Sequence, residues 1–314
     1  MKEATKRVDI QEYVKIARPD HWFKNIFMLP GAALALLLTD ISFTQIGVPL
    51  FIGLLSTCLI ASANYVINEW LDAEFDRYHP VKKHRPSAIG RIEAKFVYIE
   101  YALLIVAGLF LASLLTMEFV YFSILLLVMG VLYNVRPFRT KEVCFLDVLS
   151  ESVNNPIRLL LGWSAIISSQ LPPSSILLAY WMGGAFLMAM KRYAEYRFID
   201  DPDRAALYRA SFKNYTEQSL LLSSFFYALS SVFFLGIFLV KYRIEFVLSF
   251  PLFALLFTWY LAIAMKPYSS TQKPEKLYKE KKFVLYVVFL SIVVSALFFV
   301  DIPLLEMLVE PISY

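Results

Sequence analysis

Residues 47–76 read GVPLFIGLLSTCLIASANYVINEWLDAEFD, and the chain continues Arg77-Tyr-His-Pro-Val-Lys-Lys-His-Arg-Pro86. The first part of this run is long and apolar enough to cross a bilayer as a helix, which takes about 20 such residues. It closes on Asn68, Asp72 and Asp76, an N-x-x-x-D-x-x-x-D stripe. On a helix these three positions share one face, each step advancing about 6 Å along the axis, so their oxygens can converge on a hard cation. Acids at a helix C-terminus oppose the macrodipole, so capping alone is a poor reason for them. Carboxylates at a membrane edge, followed at once by cations, suit a Mg²⁺-bound diphosphate, and Asn68, Asp72 and Asp76 are the candidate metal ligands.

The same apolar character recurs along the chain. Of the 314 residues, 59% are hydrophobic and 16% aromatic, and the mean hydropathy is +0.59, which excludes an ordinary soluble domain. The sequence predicts an all-α polytopic membrane protein, a single domain over residues 1–314. Nine helical spans are expected, at about 22–38, 47–68, 96–115, 119–136, 146–167, 174–195, 217–240, 245–265 and 283–304. They are helical because open strands leave backbone groups unpaired in lipid. The first twenty residues lack a signal-peptide apolar region, so the first span reads as a retained anchor.

Loop charge sets an expected orientation. With residues at the span ends counted in the adjoining loops, 27 of the 30 Lys and Arg residues fall on one side, Lys241 and Arg243 on the other, and Arg158 in the middle of a span. The positive-inside rule puts the basic side in the cytoplasm, with the N-terminus, and puts the acidic C-terminal tail across the membrane. The turn Arg136-Pro-Phe-Arg-Thr-Lys141 reads here as a topology signal. The lysines of 266–282 read as contacts to anionic lipid headgroups rather than to nucleic acid. Cys58 and Cys144 fit neither a disulfide nor a zinc site, and the three histidines are too scattered for a ligand cluster.

At this point the chain resembles the UbiA superfamily of intramembrane prenyltransferases. The resemblance rests on Asn68-Glu-Trp-Leu-Asp72-Ala-Glu-Phe-Asp76, on the following Arg77, His79-Pro80, Lys82 or Lys83 and Arg85-Pro86, and on Ala17-Arg-Pro-Asp-His-Trp-Phe-Lys-Asn25 before the first span. It implies a helical bundle around a central cavity open to the cytoplasmic face. The family's second signature, around Y-A-x-x-D-x-x-x-D after the sixth span, departs here. The chain has Lys191-Arg192-Tyr193-Ala194-Glu195-Tyr196-Arg197, with Arg197 where an aspartate is expected. A guanidinium in place of a carboxylate weakens a metal site and makes an anion site. K-R-Y-A-E is similar to the decaprenyl-phosphate phosphoribosyltransferase branch, which implies 5-phosphoribosyl 1-diphosphate as donor and a polyprenyl phosphate as acceptor. Such a donor carries a diphosphate and a separate 5-phosphate, which suits one acidic and one basic cluster.

A third polar cluster opens the fifth span: Asp147-Val-Leu-Ser-Glu151-Ser-Val-Asn154-Asn155-Pro-Ile-Arg158. On one continuous helix, Asp147, Glu151, Asn154, Asn155 and Arg158 would form a stripe. Ionisable residues in a span mark either a function or a structural pair such as Asp147–Arg158 or Glu151–Arg158, and both readings stand. Pro156 is expected to kink the helix. This segment does not match the phosphoribosyltransferase branch. Tyr133, next to Asn134, resembles the tyrosine that the superfamily places beside the diphosphate. Asp200-Asp-Pro-Asp-Arg204 reads as a helix-stopping turn before it reads as a ligand set. The tryptophans and the phenylalanine-rich spans read as packing or lipid-facing residues.

The expected function is a Mg²⁺-dependent transfer of phosphoribose to a polyprenyl phosphate at the cytoplasmic face. Asn68, Asp72 and Asp76 would hold Mg²⁺. Arg18, Lys24, Lys83, Arg85 and Arg158 would meet the leaving oxygens, and Lys191, Arg192 and Arg197 the sugar phosphate, with Glu195 and Tyr193 orienting the sugar. Tyr133, Asp147, Glu151 and Asn155 complete the candidate substrate contacts. One alternative is a prenyltransferase or terpene cyclase that uses a prenyl diphosphate. Another, from a different class, is a transporter or lipid-binding scaffold, which predicts matched repeats that the sequence lacks. The oligomeric state is not legible.

Overall fold

In a computed structural model, described for residues 9–39, 41–168, 170–242, 244–272, 274–297 and 299–306, every regular element is helical. The expectations for residues 1–8, for Arg243 and for the tail beyond 306 lie outside the described residues. The α-helices are α1 (Ile10–Ala17), α2 (Leu29–Leu37), α3 (Phe43–Asp76), α4 (Ala94–Ala112), α5 (Met117–Asn134), α6 (Leu146–Ser152), α7 (Asn154–Ser164), α8 (Ser174–Ile199), α9 (Pro202–Tyr208), α10 (Glu217–Tyr242), α11 (Phe250–Ala264), α12 (Lys281–Leu297) and α13 (Pro303–Glu306). Five described stretches are long and apolar enough to cross a membrane: Thr44–Asp76, Ala94–Ala112, Met117–Asn134, Glu217–Tyr242 and Ile244–Ala264. The chain is an integral membrane protein. The other four expected spans correspond to shorter, interrupted or more polar elements. Residues 22–38 divide between a 3₁₀ stretch, Pro19–Met28, and the nine-residue α2. Residues 146–167 divide into α6 and α7 at Val153, just ahead of Pro156, which has no N–H to bond back to Ser152.

The described residues form two compact units, one of those up to 172 together with 199–215, the other of 173–198 together with those from 216 onward. In the first, α3 is the spine, packed by α1, α4, α5 and α7. At 34 residues it is roughly 51 Å long, well beyond the ~30 Å hydrocarbon thickness. That surplus lets its acidic last turns stand clear of the apolar layer.

In lipid, helices associate through close packing rather than water exclusion, so small residues mark their contacts. Gly31 of α2 and Gly162 of α7 show this. A Cβ on Gly31 would lie 2.0 Å from the Leu159 carbonyl oxygen, and one on Gly162 would lie 1.9 Å from that of Met28. Gly130 of α5 faces the Asn64 amide so closely that a Cβ would sit 2.1 Å from Oδ1, while Asn64 Nδ2 donates to the Leu126 carbonyl at 3.0 Å. This seam sets the approach of α5 to α3, one turn from where Asn134 meets Asn68.

In the second unit, Phe186 of α8 packs on Phe257 and Tyr260 of α11. Ser231 of α10 donates to the Ala179 carbonyl, and Tyr286 of α12 to that of Leu252. On α10, Phe225, Phe226 and Phe233 are 62%, 63% and 64% exposed, an apolar surface suited to lipid. Cys58 and Cys144 are both free thiols.

Candidate active site

The last turns of α3 carry the predicted acidic stripe, and cations from two other segments pair with it. Asp72 Oδ1 receives Lys141 Nζ at 2.5 Å and Arg139 Nη2 at 3.0 Å. Asp72 Oδ2 accepts from Asn68 Nδ2 at 3.3 Å. Asp76 Oδ2 receives Arg85 Nη1 at 2.6 Å. Each aspartate therefore has one oxygen held in a tight ion pair, and the second oxygen of Asp72 is held, among the described residues, only by the long bond from Asn68. Arg85 also reaches Glu69 at 3.9 Å, and Arg18 pairs with Glu69 at 2.8 Å.

Local backbone geometry aims these cations. Arg18 and Arg139 both adopt left-handed backbone, at φ 51° and 30°, a conformation costing about 1–3 kcal/mol in non-glycine residues and common where function over-determines it. Arg139 starts the turn Thr140–Glu142, packs over the Phe75 ring at 4.9 Å and donates to the Leu71 and Asn134 carbonyls. Lys141 is buried, and burial pulls its pKa down to about 8, against the charge of Asp72, which acts in the opposite direction.

Asp72, Phe75, Asp76, Arg139, Lys141, Glu142, Tyr208 and Arg209 line an open cleft. Arg209 is set by its surroundings: it lies 3.5 Å from the Tyr133 hydroxyl and 3.9 Å from Asp147 Oδ2. Asp147, fully buried, accepts from Tyr215 at 2.7 Å and from Ser211 at 3.2 Å, which brackets the 209–215 segment against α6. On the other flank, Lys82 bonds the Tyr208 hydroxyl. His79 Nδ1 accepts from the backbone N–H groups of Val81 and Lys82, so in the neutral ring the proton sits on Nε2.

The remaining predicted residues lie as follows. Lys24 stands over the Tyr65 ring at 5.6 Å, and Lys83 is exposed. Arg158 is buried and donates to Asn25 Oδ1 and to the Asn154 carbonyl rather than to Asp147 or Glu151. The Asp147–Arg158 stripe therefore serves two separate environments. Glu151 and Asn155 are half-buried. In the second unit, Arg192 pairs with Glu195 at 3.5 Å, both buried, and Lys191 is half-buried. Arg197 bonds the Tyr193 hydroxyl, the Met265 carbonyl and Glu217. Asp201 caps α9 through the N–H groups of Asp203 and Arg204, as a turn-forming residue does.

Sequence reasoning missed Arg139, Lys141, Tyr208 and Arg209. For Arg139 and Lys141 a signal existed: they lie in the short basic turn after Tyr133-Asn134, at a helix end on the face expected to carry the stripe. Arg209 and Tyr208 carry no motif, and only the Asp147 bracket brings them in.

Among the described residues, no three His, Cys, Asp or Glu side chains converge as a metal site. A divalent ion here would rest on Asp72, Asp76 and the Asn68 amide, with water and phosphate oxygens completing its shell. That donor set fits Mg²⁺, which keeps several waters and takes one or two carboxylates plus substrate phosphates.

Comparison with known proteins bears on the family and the fold. The chain is 32% identical over 213 residues to decaprenyl-phosphate phosphoribosyltransferase of Mycolicibacterium smegmatis, covering 66% of this chain and 63% of that protein. It is 30% identical over 210 residues to the Mycobacterium tuberculosis protein of the same name, covering 66% and 67%. Its fold matches a UbiA homologue from Archaeoglobus fulgidus, solved with DMAPP and Mg²⁺, at a TM-score of 0.68 and 20% identity over 90% of this chain and 99% of that one. A sequence model of the UbiA prenyltransferase family matches residues 26–293, a stretch that takes in the stripe, the turn after α5 and the segment after α8. The chain belongs to the UbiA prenyltransferase family.

Proposed function

We propose that the protein transfers phosphoribose from 5-phosphoribosyl 1-diphosphate to a polyprenyl phosphate, with Mg²⁺, at the cytoplasmic membrane face. The observation that carries this reading is the ring of cations closing on a two-aspartate stripe: Arg85, Arg139 and Lys141 pair with Asp72 and Asp76, and Arg209 lines the same cleft. Phosphoribosyltransferase relatives at 30–32% identity support the donor.

Asn68, Asp72 and Asp76 would hold Mg²⁺, which when bound neutralises the diphosphate and eases its departure. Arg85, Arg139, Lys141 and Arg209 take up the charge that develops on the leaving oxygens. Their positions are set in advance by ion pairs and backbone bonds, so little reorganisation accompanies bond breaking. The attacking phosphate oxygen is already anionic near neutral pH, so no strong base is needed. Catalysis rests on positioning the anomeric carbon between leaving group and acceptor. Assigning the 5-phosphate to Lys191 and Arg192 rests on the K-R-Y-A-E resemblance, as does a role for Glu195 and Tyr193.

The test is to incubate purified protein and a polyprenyl phosphate with labelled 5-phosphoribosyl 1-diphosphate, and in parallel an aromatic acceptor with labelled geranylgeranyl diphosphate. Label entering the lipid phase from the phosphoribosyl donor alone is the expected result. Product from the prenyl donor alone overturns the reading in favour of a prenyltransferase.

A further inference from the structure

Resting on the reading of Asn68 as a metal ligand, we propose that Asn134 and Lys141 are positioning residues that fix which atom of the Asn68 amide faces the ion. Asn134 Oδ1 receives Lys141 Nζ at 2.8 Å, and Asn134 Nδ2 donates to the Gly130 carbonyl at 2.8 Å. An ammonium only donates and a backbone carbonyl only accepts, so both contacts demand the same orientation of the Asn134 amide. Its oxygen then faces Asn68 at 2.5 Å, and the atom presented by Asn68 must be its nitrogen. Asp72 Oδ2, accepting from the same nitrogen at 3.3 Å, demands it again. The Asn68 carbonyl oxygen is thereby turned away from both partners, and it is the only atom of this amide that can ligate a hard cation.

Without this chain, the amide can rotate by half a turn and present N–H groups to the ion instead. The role of Asn134 and Lys141 is thus defined by donor and acceptor type rather than by bulk. Partners that orient metal ligands typically contribute 10–100-fold to metal affinity.

The test titrates the purified full-length protein in detergent with Mn²⁺ alone, read by electron paramagnetic resonance, beside metal-free thermal unfolding. Asn134→Leu removes the acceptor and should weaken Mn²⁺ binding on the order of tenfold or more. Asn134→Asp keeps an acceptor for both Asn68 and Lys141 and should restore binding to within about threefold of the parent, although it loses the bond to Gly130 and unfolds earlier. A purely structural role would make binding follow thermal stability in both variants. If Asn134→Leu does not fold, Asn134→Ala carries the same expectation. Parental Mn²⁺ affinity in a folded Leu or Ala variant, or an Asp variant as weak as Leu, overturns the proposal while leaving Asn68 a ligand. Failure of the parent protein to bind Mn²⁺, or undiminished binding by Asp72→Asn, removes the metal reading itself and the proposal with it.

Discussion

Tyr215→Phe deletes a single phenolic oxygen from the buried bracket beside the cleft. That oxygen donates to Asp147 Oδ1 at 2.7 Å and accepts from the Phe145 N–H at 2.7 Å. The ring contacts to Phe145 and Phe212 survive the change. A hydrogen bond to a charged acceptor contributes about 1.5–3 kcal/mol and a neutral one about 0.5–1.5 kcal/mol, so the variant should lose about 2–4 kcal/mol. Ser211→Ala, which removes one bond of 3.2 Å to the same carboxylate, should cost less. The assay follows the reactivity of buried Cys58 with a thiol dye on heating, in a Cys144→Ser background, because Cys58 is covered in the folded protein. A fall in the midpoint of several degrees is expected. Burial, and then the Asp147 carboxylate, push the Tyr215 phenol above its ordinary pKa. It therefore stays a donor throughout the range below about pH 10, and the difference between parent and variant should be the same at about pH 6 and about pH 9. Because Arg209 rides on the tethered segment, the KM for the diphosphate donor should also rise. An unchanged midpoint refutes the bracket, and a lowered midpoint with an unchanged KM refutes its link to Arg209.

Three further outcomes follow from the same geometry. Asp72→Asn should abolish transfer while membrane insertion persists, since it removes a ligand charge and the partner of Lys141 and Arg139; turnover above about 1% of the parent, measured with labelled donor, contradicts the assigned role. Gly162→Ala should destabilise the first unit by about 1–3 kcal/mol or prevent its folding, because the new methyl meets a backbone carbonyl rather than a movable side chain; detergent thermal denaturation reads this directly. Removal of divalent ions with EDTA should stop transfer and excess Mg²⁺ should restore it, whereas activity indifferent to EDTA contradicts the Asp72–Asp76 reading.

Sequence alone was enough for the all-helical class of fold and for the placing of the acidic half of the candidate site on one helix. Apolar runs of membrane length require helices, because lipid offers backbone groups no other partner, and the four-residue spacing of Asn68, Asp72 and Asp76 requires one shared face on any helix. These are local constraints, and α3 obeys them through Asp76. Of the cationic half, Arg85 was legible in the motif that follows the stripe and pairs with Asp76 nine positions away, but the rest depended on contacts between residues far apart in the chain. Arg139 and Lys141 lie more than sixty positions from Asp72, and their approach is governed by a left-handed turn and by the packing of Gly130 on Asn64. Arg209 is placed by Asp147, Ser211 and Tyr215, none of which announces this in a motif. The stripe from Asp147 to Arg158 looked continuous because periodicity assumes an unbroken helix, and the interruption at Val153 ahead of Pro156 separates its two ends. The carboxylates were legible because a helix fixes its own periodicity, whereas the counter-charges Arg139, Lys141 and Arg209 needed tertiary packing, because a basic residue in a loop carries no periodicity that says where it points.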